Sequence, residues 1–136
     1  MAGNERSGFG ASSATLFRRC PWILTPAAPG SAEARVVRRL VRAVGARSVV
    51  LTPERHDRVM AFLSHVPQIA SWAIRRAATD DVVTRQYVGL AGPGFRDMTR
   101  LAGSPRSLWR EILAQNHRET ARALRALVRR LGAPPS

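Results

Sequence analysis

The chain has 136 residues, with 22 basic against 9 acidic side chains and a formal net charge of +13 at pH 7. That length fits one domain, or one domain plus a fragment of another. A hydrophobic share of 45% supplies a modest core and excludes low-complexity disorder, while collagen-like, coiled-coil and disulfide-scaffold classes also drop out.

Residues 1–20 open polar and Gly/Ser-rich, as a loop, followed by a short apolar turn at Leu16 and Phe17. Trp22, Ile23 and Leu24, set between Pro21 and Pro26, form a β-prone run. Ser31 then suits an N-cap and Glu33 places negative charge in the first turn of a helix. Ala32, Val36, Val37, Leu40, Val41 and Val44 recur on one face of it until Gly45 stops the pattern. Ser48 to Leu51 is a second β-prone run, so the spacing predicts a strand–helix–strand unit of about 30 residues. Two short strands and one helix do not cover both faces of a sheet, which makes this unit the edge of a larger α/β domain whose other strands precede residue 1.

After Leu51 the pattern is helical only. Thr52 and Pro53 supply an N-cap and an N1 proline, and Glu54 adds first-turn charge. Val59, Met60, Phe62, Leu63, Val66, Ile69, Trp72, Ala73 and Ile74 give a long apolar helix that Pro67 should kink near Leu63, by removing one backbone bond. Asp80 to Leu90 reads as a further helix, Ala91 to Gly94 as a flexible break and Phe95 to Ala102 as a short helix. Ser104 and Pro105 cap a last helix striped by Leu108, Ile112, Leu113, Leu124, Leu127, Val128 and Leu131. At about 25 residues, or about 38 Å, that helix exceeds what a domain of about 85 residues buries alone, and a partner subunit is the simplest cover.

All 22 basic residues are arginine, which points to a coding bias towards Arg and Ala. Their local groups, Arg35, Arg38, Arg39, Arg42 and Arg118, Arg122, Arg125, Arg129, Arg130, fall between apolar positions at helical spacing and mark solvated helix faces. Aromatics at 6% leave few platforms for stacking bases. A nucleic-acid partner is therefore not expected. Cys20 is the only cysteine, so no internal disulfide or Cys-based zinc site forms, as suits a reducing compartment. Met1 to Ser13 lacks the apolar stretch of a signal peptide, and no apolar run approaches the ~20 residues that span a bilayer. The expectation is a soluble, cytoplasmic protein with no membrane partner.

Three places hold residue types suited to chemistry: Ser64-His65-Val66-Pro67-Gln68, then Gly94-Phe95-Arg96-Asp97-Met98-Thr99-Arg100, then Trp109. Neighbours on a helix point about 100° apart, so Ser64 and His65 do not pair as nucleophile and base. His65 is otherwise a core or interface histidine with a satisfied ring. Arg100, three residues after Asp97, either closes an intrahelical ion pair or offers its guanidinium fork to a ligand carboxylate. Trp109 reads first as core packing, and His56-Asp57 as capping and solvation near a helix start. His56, His65 and His117 lack metal-ligand spacing, and no Gly-rich phosphate loop follows a strand.

The order His56-Asp57, Ser64-His65-Val66-Pro67, Gly94-Phe95-Arg96-Asp97-Met98-Thr99-Arg100-Leu101-Ala102, Ser104 and Trp109 resembles the C-terminal half of the prephenate/arogenate dehydrogenase family. Met1-Ala2-Gly3-Asn4-Glu5-Arg6-Ser7-Gly8 is similar to the stretch directly after that family's catalytic histidine and its following proline. The resemblance covers residues 1 to about 131. It implies a mainly α fold, in which residues 52–136 are an all-helical dimerisation and substrate-pocket domain. Residues 1–51 are then the strand–helix–strand remnant of an α/β domain binding NAD or NADP. It implies a homodimer whose small-molecule substrate is prephenate or arogenate, decarboxylated oxidatively in tyrosine biosynthesis. Carried over by position, Arg100 binds a substrate carboxylate, Ser64 and His65 line the pocket, Trp109 is an aromatic packing or pocket residue, and Asp97 and Glu5 support the cleft entrance.

Two departures stand out. Many members have a second histidine three residues after the Ser-His pair, whereas this chain has Gln68, which lines the same pocket, hydrogen-bonds and does not titrate. No Gly-x-Gly-x-x-Gly turn follows a strand, and the family's general base would fall just upstream of Met1. No catalytic residue is therefore expected within the chain, which should be silent alone. Two other classes compete with this reading: a free-standing helical dimerisation or interaction module, and a basic nucleic-acid-binding protein.

Overall fold

The computed structural model describes residues 8–133 and divides into two compact units, with the boundary between His56 and Asp57. Glu5 therefore lies outside the described residues.

In the first unit, strand β1 (Pro21–Leu24) is followed by helix α1 (Ala32–Ala43) and strand β2 (Arg47–Val50). The strands run parallel, Pro21 opposite Arg47 and Leu24 opposite Val50, a pairing that needs a crossover such as α1 supplies. Ser31 caps α1 as expected, its Oγ accepting from the Ala34 N–H at 3.2 Å. At the other end Gly45 turns the chain at φ +76°, and its N–H donates to the Arg42 carbonyl at 2.9 Å. Glycine is required there, because a Cβ would sit 3.1 Å from Arg18 Cγ in a left-handed backbone region. Ala34 and Val41 are buried, but Val36, Val37 and Leu40 of the expected apolar face remain exposed. Two strands of four residues cover only one narrow row of the helix. A mostly apolar cavity of about 530 Å³ opens between the end of β1 and α1, lined by Ile23, Leu24, Pro26, Ala34 and Val37 among others.

From Pro53 onward the chain is helical, and the boundary between the units falls within its first helix. Helix α2 (Pro53–Met60) starts on Thr52, whose Oγ1 accepts from the Arg55 N–H at 3.3 Å. A π-turn over Ala61–His65 separates it from α3 (Val66–Asp80). The kink expected near Leu63 takes this form: the Val66 N–H reaches five residues back to the Ala61 carbonyl, and Pro67 has no N–H to give the Leu63 carbonyl four residues before it.

Three expectations are corrected. Asp80–Leu90 is not an α-helix; α3 stops at Asp80 and a 3₁₀ segment runs from Thr84 to Leu90. The Asp81 carboxylate accepts the Thr84 N–H three residues on at 2.7 Å, a cap-like bond that diverts the chain before β-branched Val82, Val83 and Thr84 could continue the helix. The break expected at 91–94 is shorter, since α4 (Pro93–Thr99) begins on a proline whose fixed φ suits a first turn. Arg100–Gly103 then tightens into a 3₁₀ turn. Finally, the single long last helix is two helices, α5 (Arg106–Gln115) and α6 (His117–Leu131), and no side chain caps the start of α5. Asn116 leaves helical geometry at φ −122°, ψ 36°, and its amide donates to the Asp57 carbonyl at 2.8 Å.

The small core joins α6 to the π-turn: Ala61, Val66 and Ala123 are buried, with Leu124 and Leu127 packed against them. Leu63, Leu108, Val128 and Leu131 remain exposed. No helix among the described residues is long and apolar enough to cross a membrane.

Candidate functional site

The π-turn and the first turns of α3 carry a polar stripe on an otherwise apolar helix. His65, Gln68 and Ser71 are all buried, Gln68 and Ser71 to 1% exposure. Buried polar groups are costly unless they are hydrogen-bonded, so the location of their partners defines the site. His65 Nδ1 lies 2.9 Å from Thr120 Oγ1 on α6, and Asn116 Nδ2 approaches the same nitrogen at 3.4 Å. The Asn116 amide is oriented by its bond to the Asp57 carbonyl, so it offers a donor to Nδ1. An Asn116 donor at Nδ1 suits the tautomer that carries its ring proton on Nε2.

Aromatic rings close the other side. Trp109, buried on α5, meets His65 edge-to-face at 6.1 Å between centroids, and Trp72 meets Trp109 likewise at 6.2 Å. Arg106 lies over the Trp72 ring at 5.0 Å. Gln68 Nε2 donates to the Leu101 carbonyl at 2.7 Å, which ties α3 to the 3₁₀ turn that begins with Arg100. Gln68 Oε1, Ser71 Oγ and the Trp72 indole N–H are buried without a hydrogen-bond partner among the described residues.

The expected residues separate into two groups. His65 and Trp109 come together, and Gln68 joins them to the turn bearing Arg100, acting on that turn through a carbonyl bond. Ser64 is half-buried on the π-turn, whereas Asp97 on α4 and Arg100 are exposed. Thr120 and Asn116 were not anticipated. The available signal was Asn116 itself, a poor helix former interrupting an apolar stripe, with Thr120 one turn beyond on the same face. Among the described residues no cluster of three or more His, Cys, Asp or Glu could hold a metal ion.

A dinucleotide cradle can be tested on α1, the helix that connects the two parallel strands. Its N-terminus is already capped by Ser31, and the Glu33 carboxylate in its first turn is held below its ordinary pKa by its backbone hydrogen bond and by Ser31. A fixed negative charge there opposes a pyrophosphate. The amino end of α1 therefore does not form that cofactor's phosphate site.

A short parallel strand–helix–strand unit and a helical unit with a buried His–Thr–Trp cluster together make a mainly α chain of two units. Residues 52–133 match the family described as prephenate dehydrogenase, dimerization domain, and the chain belongs to that family. It is 34% identical over 118 residues to prephenate dehydrogenase of Bacillus subtilis, covering 85% of this chain and 32% of that protein. It is 34% identical over 119 residues to cyclohexadienyl dehydrogenase of Zymomonas mobilis, covering 85% of this chain and 41% of that one. Among solved structures, prephenate dehydrogenase from A. aeolicus, in complex with hydroxyphenyl propionate and NAD+, superposes with a TM-score of 0.81 at 28% identity, over 96% of this chain and 46% of that one. Synechocystis arogenate dehydrogenase gives a TM-score of 0.76 at 28% identity, over 96% and 48%. The chain thus spans a third to a half of these relatives' lengths.

Proposed function

We propose that this chain supplies the helical, substrate-pocket and dimer-forming part of an NAD(P)-dependent prephenate or arogenate dehydrogenase. The observation that carries the reading is the buried His65–Thr120–Trp109 cluster, tied through Gln68 to the turn bearing Arg100. In this reading residues 52–136 form the pocket and dimerise as a homodimer, and residues 1–51 complete an α/β domain. Arg100, exposed at the head of its turn, takes a substrate carboxylate as a bidentate partner. His65 and Trp109 form a rigid, water-poor wall, Ser64 offers a hydroxyl beside it, and Asp97 stands at the entrance. Gln68 holds the Arg100 turn in place. When bound, the nicotinamide accepts hydride; the residues of this chain bind and orient the substrate, and the general base and dinucleotide site belong to the remainder of the enzyme.

The reading is tested by fusing the chain behind the nucleotide-binding half of the B. subtilis relative and assaying prephenate and arogenate with NAD and NADP. The 136-residue chain alone should show no turnover. The fusion should turn over, and Arg100→Gln should raise its KM at least about tenfold with a smaller change in kcat. A folded fusion that binds NAD but turns over neither substrate, or an Arg100→Gln variant with unchanged KM, would overturn it.

A further inference from the structure

A cavity of about 170 Å³ in the helical unit is lined by Trp72, Arg75, Arg76 and Thr79 of α3, Ala102 of the 3₁₀ turn and Arg106 at the head of α5. Three of these six residues are cations and none is acidic. Among the described residues, neither Arg75 nor Arg106 makes an ion pair or a side-chain hydrogen bond; Arg106 only stacks on Trp72, and Arg76 bonds Asp80 through Nε at 2.6 Å. Trp72 has an indole N–H buried without an acceptor. The amino end of α5 begins at Arg106 behind a proline, with no side-chain cap, and its first intrahelical bond is from the Trp109 N–H. The polar side chains lining the cavity, apart from the Thr79 hydroxyl, are thus donors or positive charges. Arg75 and Arg106 place like charge at one concavity, the charge of Arg76 being balanced by Asp80, and a bound anion relieves their repulsion.

We propose that this cavity binds a small dianionic oxyanion, a phosphate or a short dicarboxylate. Arg75 and Arg106 supply the principal contacts and Arg76 reinforces the field while bonded to Asp80. Guanidinium forks match both ligand geometries, and the volume accommodates either. The pocket rests on its own residues and does not depend on the activity proposed above.

The test titrates the full chain with inorganic phosphate and, separately, with malonate at constant ionic strength, by calorimetry and by tryptophan fluorescence. Saturable one-site binding of either ion is expected, and the tighter of the two identifies the source. Arg106→Gln and Arg75→Gln should each weaken binding about tenfold. Because Arg106→Gln also removes the stack on Trp72, Ala102→Leu serves as a second variant; it fills the cavity without changing charge and should abolish binding. Far-UV circular dichroism confirms that each variant is folded. Absence of saturable binding beyond that of matched chloride would overturn the proposal, as would unchanged affinity in Ala102→Leu, which would reveal only general polycation behaviour.

Discussion

Thr120→Val tests whether the buried His65–Thr120 contact holds the helical unit together. Valine is nearly isosteric with threonine and equally β-branched, so shape and helix propensity change little and only the hydroxyl is lost. Both partners are 5% exposed, so His65 Nδ1 would lose its 2.9 Å partner in a place where water does not replace it. Orphaning a buried acceptor costs about 1–3 kcal/mol. Asn116 Nδ2, at 3.4 Å, takes over part of the role and sets the expectation towards the lower half of that range. For a unit of this size each kcal/mol lowers Tm by about 4–8 °C, so a fall of roughly 5–15 °C is expected in melts followed at 222 nm. Thr120→Ser keeps the hydroxyl and loses one methyl, about 0.8 kcal/mol, and should be the milder variant. If Thr120→Val melts with the parent chain and no lower than Thr120→Ser, the hydrogen bond contributes nothing and the site is held by packing alone.

Other substitutions probe separate parts of the molecule. Trp109→Ala should cost about 3–5 kcal/mol in urea unfolding, since it empties the space between His65 and Trp72, while Trp109→Phe should cost markedly less. Gly45→Ala should cost about 1–2 kcal/mol from the left-handed backbone alone, with more from crowding against Arg18, and the loss should appear as faster amide exchange across β1 and β2. The lowered pKa of Glu33 means that its stabilisation of α1 is complete above the ordinary carboxylate pKa and is lost as pH falls through the lowered value. Ser31→Ala should move the Glu33 titration, followed by carboxyl NMR shifts, back towards the ordinary value.

The boundaries of β1, α1 and α2 were legible because each is set by local chemistry: prolines around Trp22–Leu24, an N-cap serine before Ala32, and Thr52-Pro53 before Glu54. The misread segments are those in which a side chain competes with the helical ladder. Asp81 captures the Thr84 amide, and Asn116 reaches 59 residues back to Asp57, a partner that no window of sequence displays. The same holds for the site. His65 and Trp109 were visible as residue types, but the contact between them depends on Asn116 breaking the last helix so that α5 and α6 take separate directions. Arg75 and Arg106 are 31 positions apart and are indistinguishable in sequence from the other arginines; only the fold sets them around one cavity.

The π-turn also gives the helical unit one place at which a change of chain length is absorbed. A turn closed by five residues carries one more residue than the α-helix it interrupts. Deleting a single residue between Ala61 and Leu63 would let the ladder close as an ordinary helix while the residues downstream kept nearly their present phase, because the extra residue is taken up within one turn. His65, Gln68 and Ser71 all follow such a deletion and would keep their shared face, and Gln68 its bond to the Leu101 carbonyl. A deletion at the highly exposed Leu63 is therefore easier to accommodate than one within α3, where no extra residue exists and about 100° of rotation would be lost.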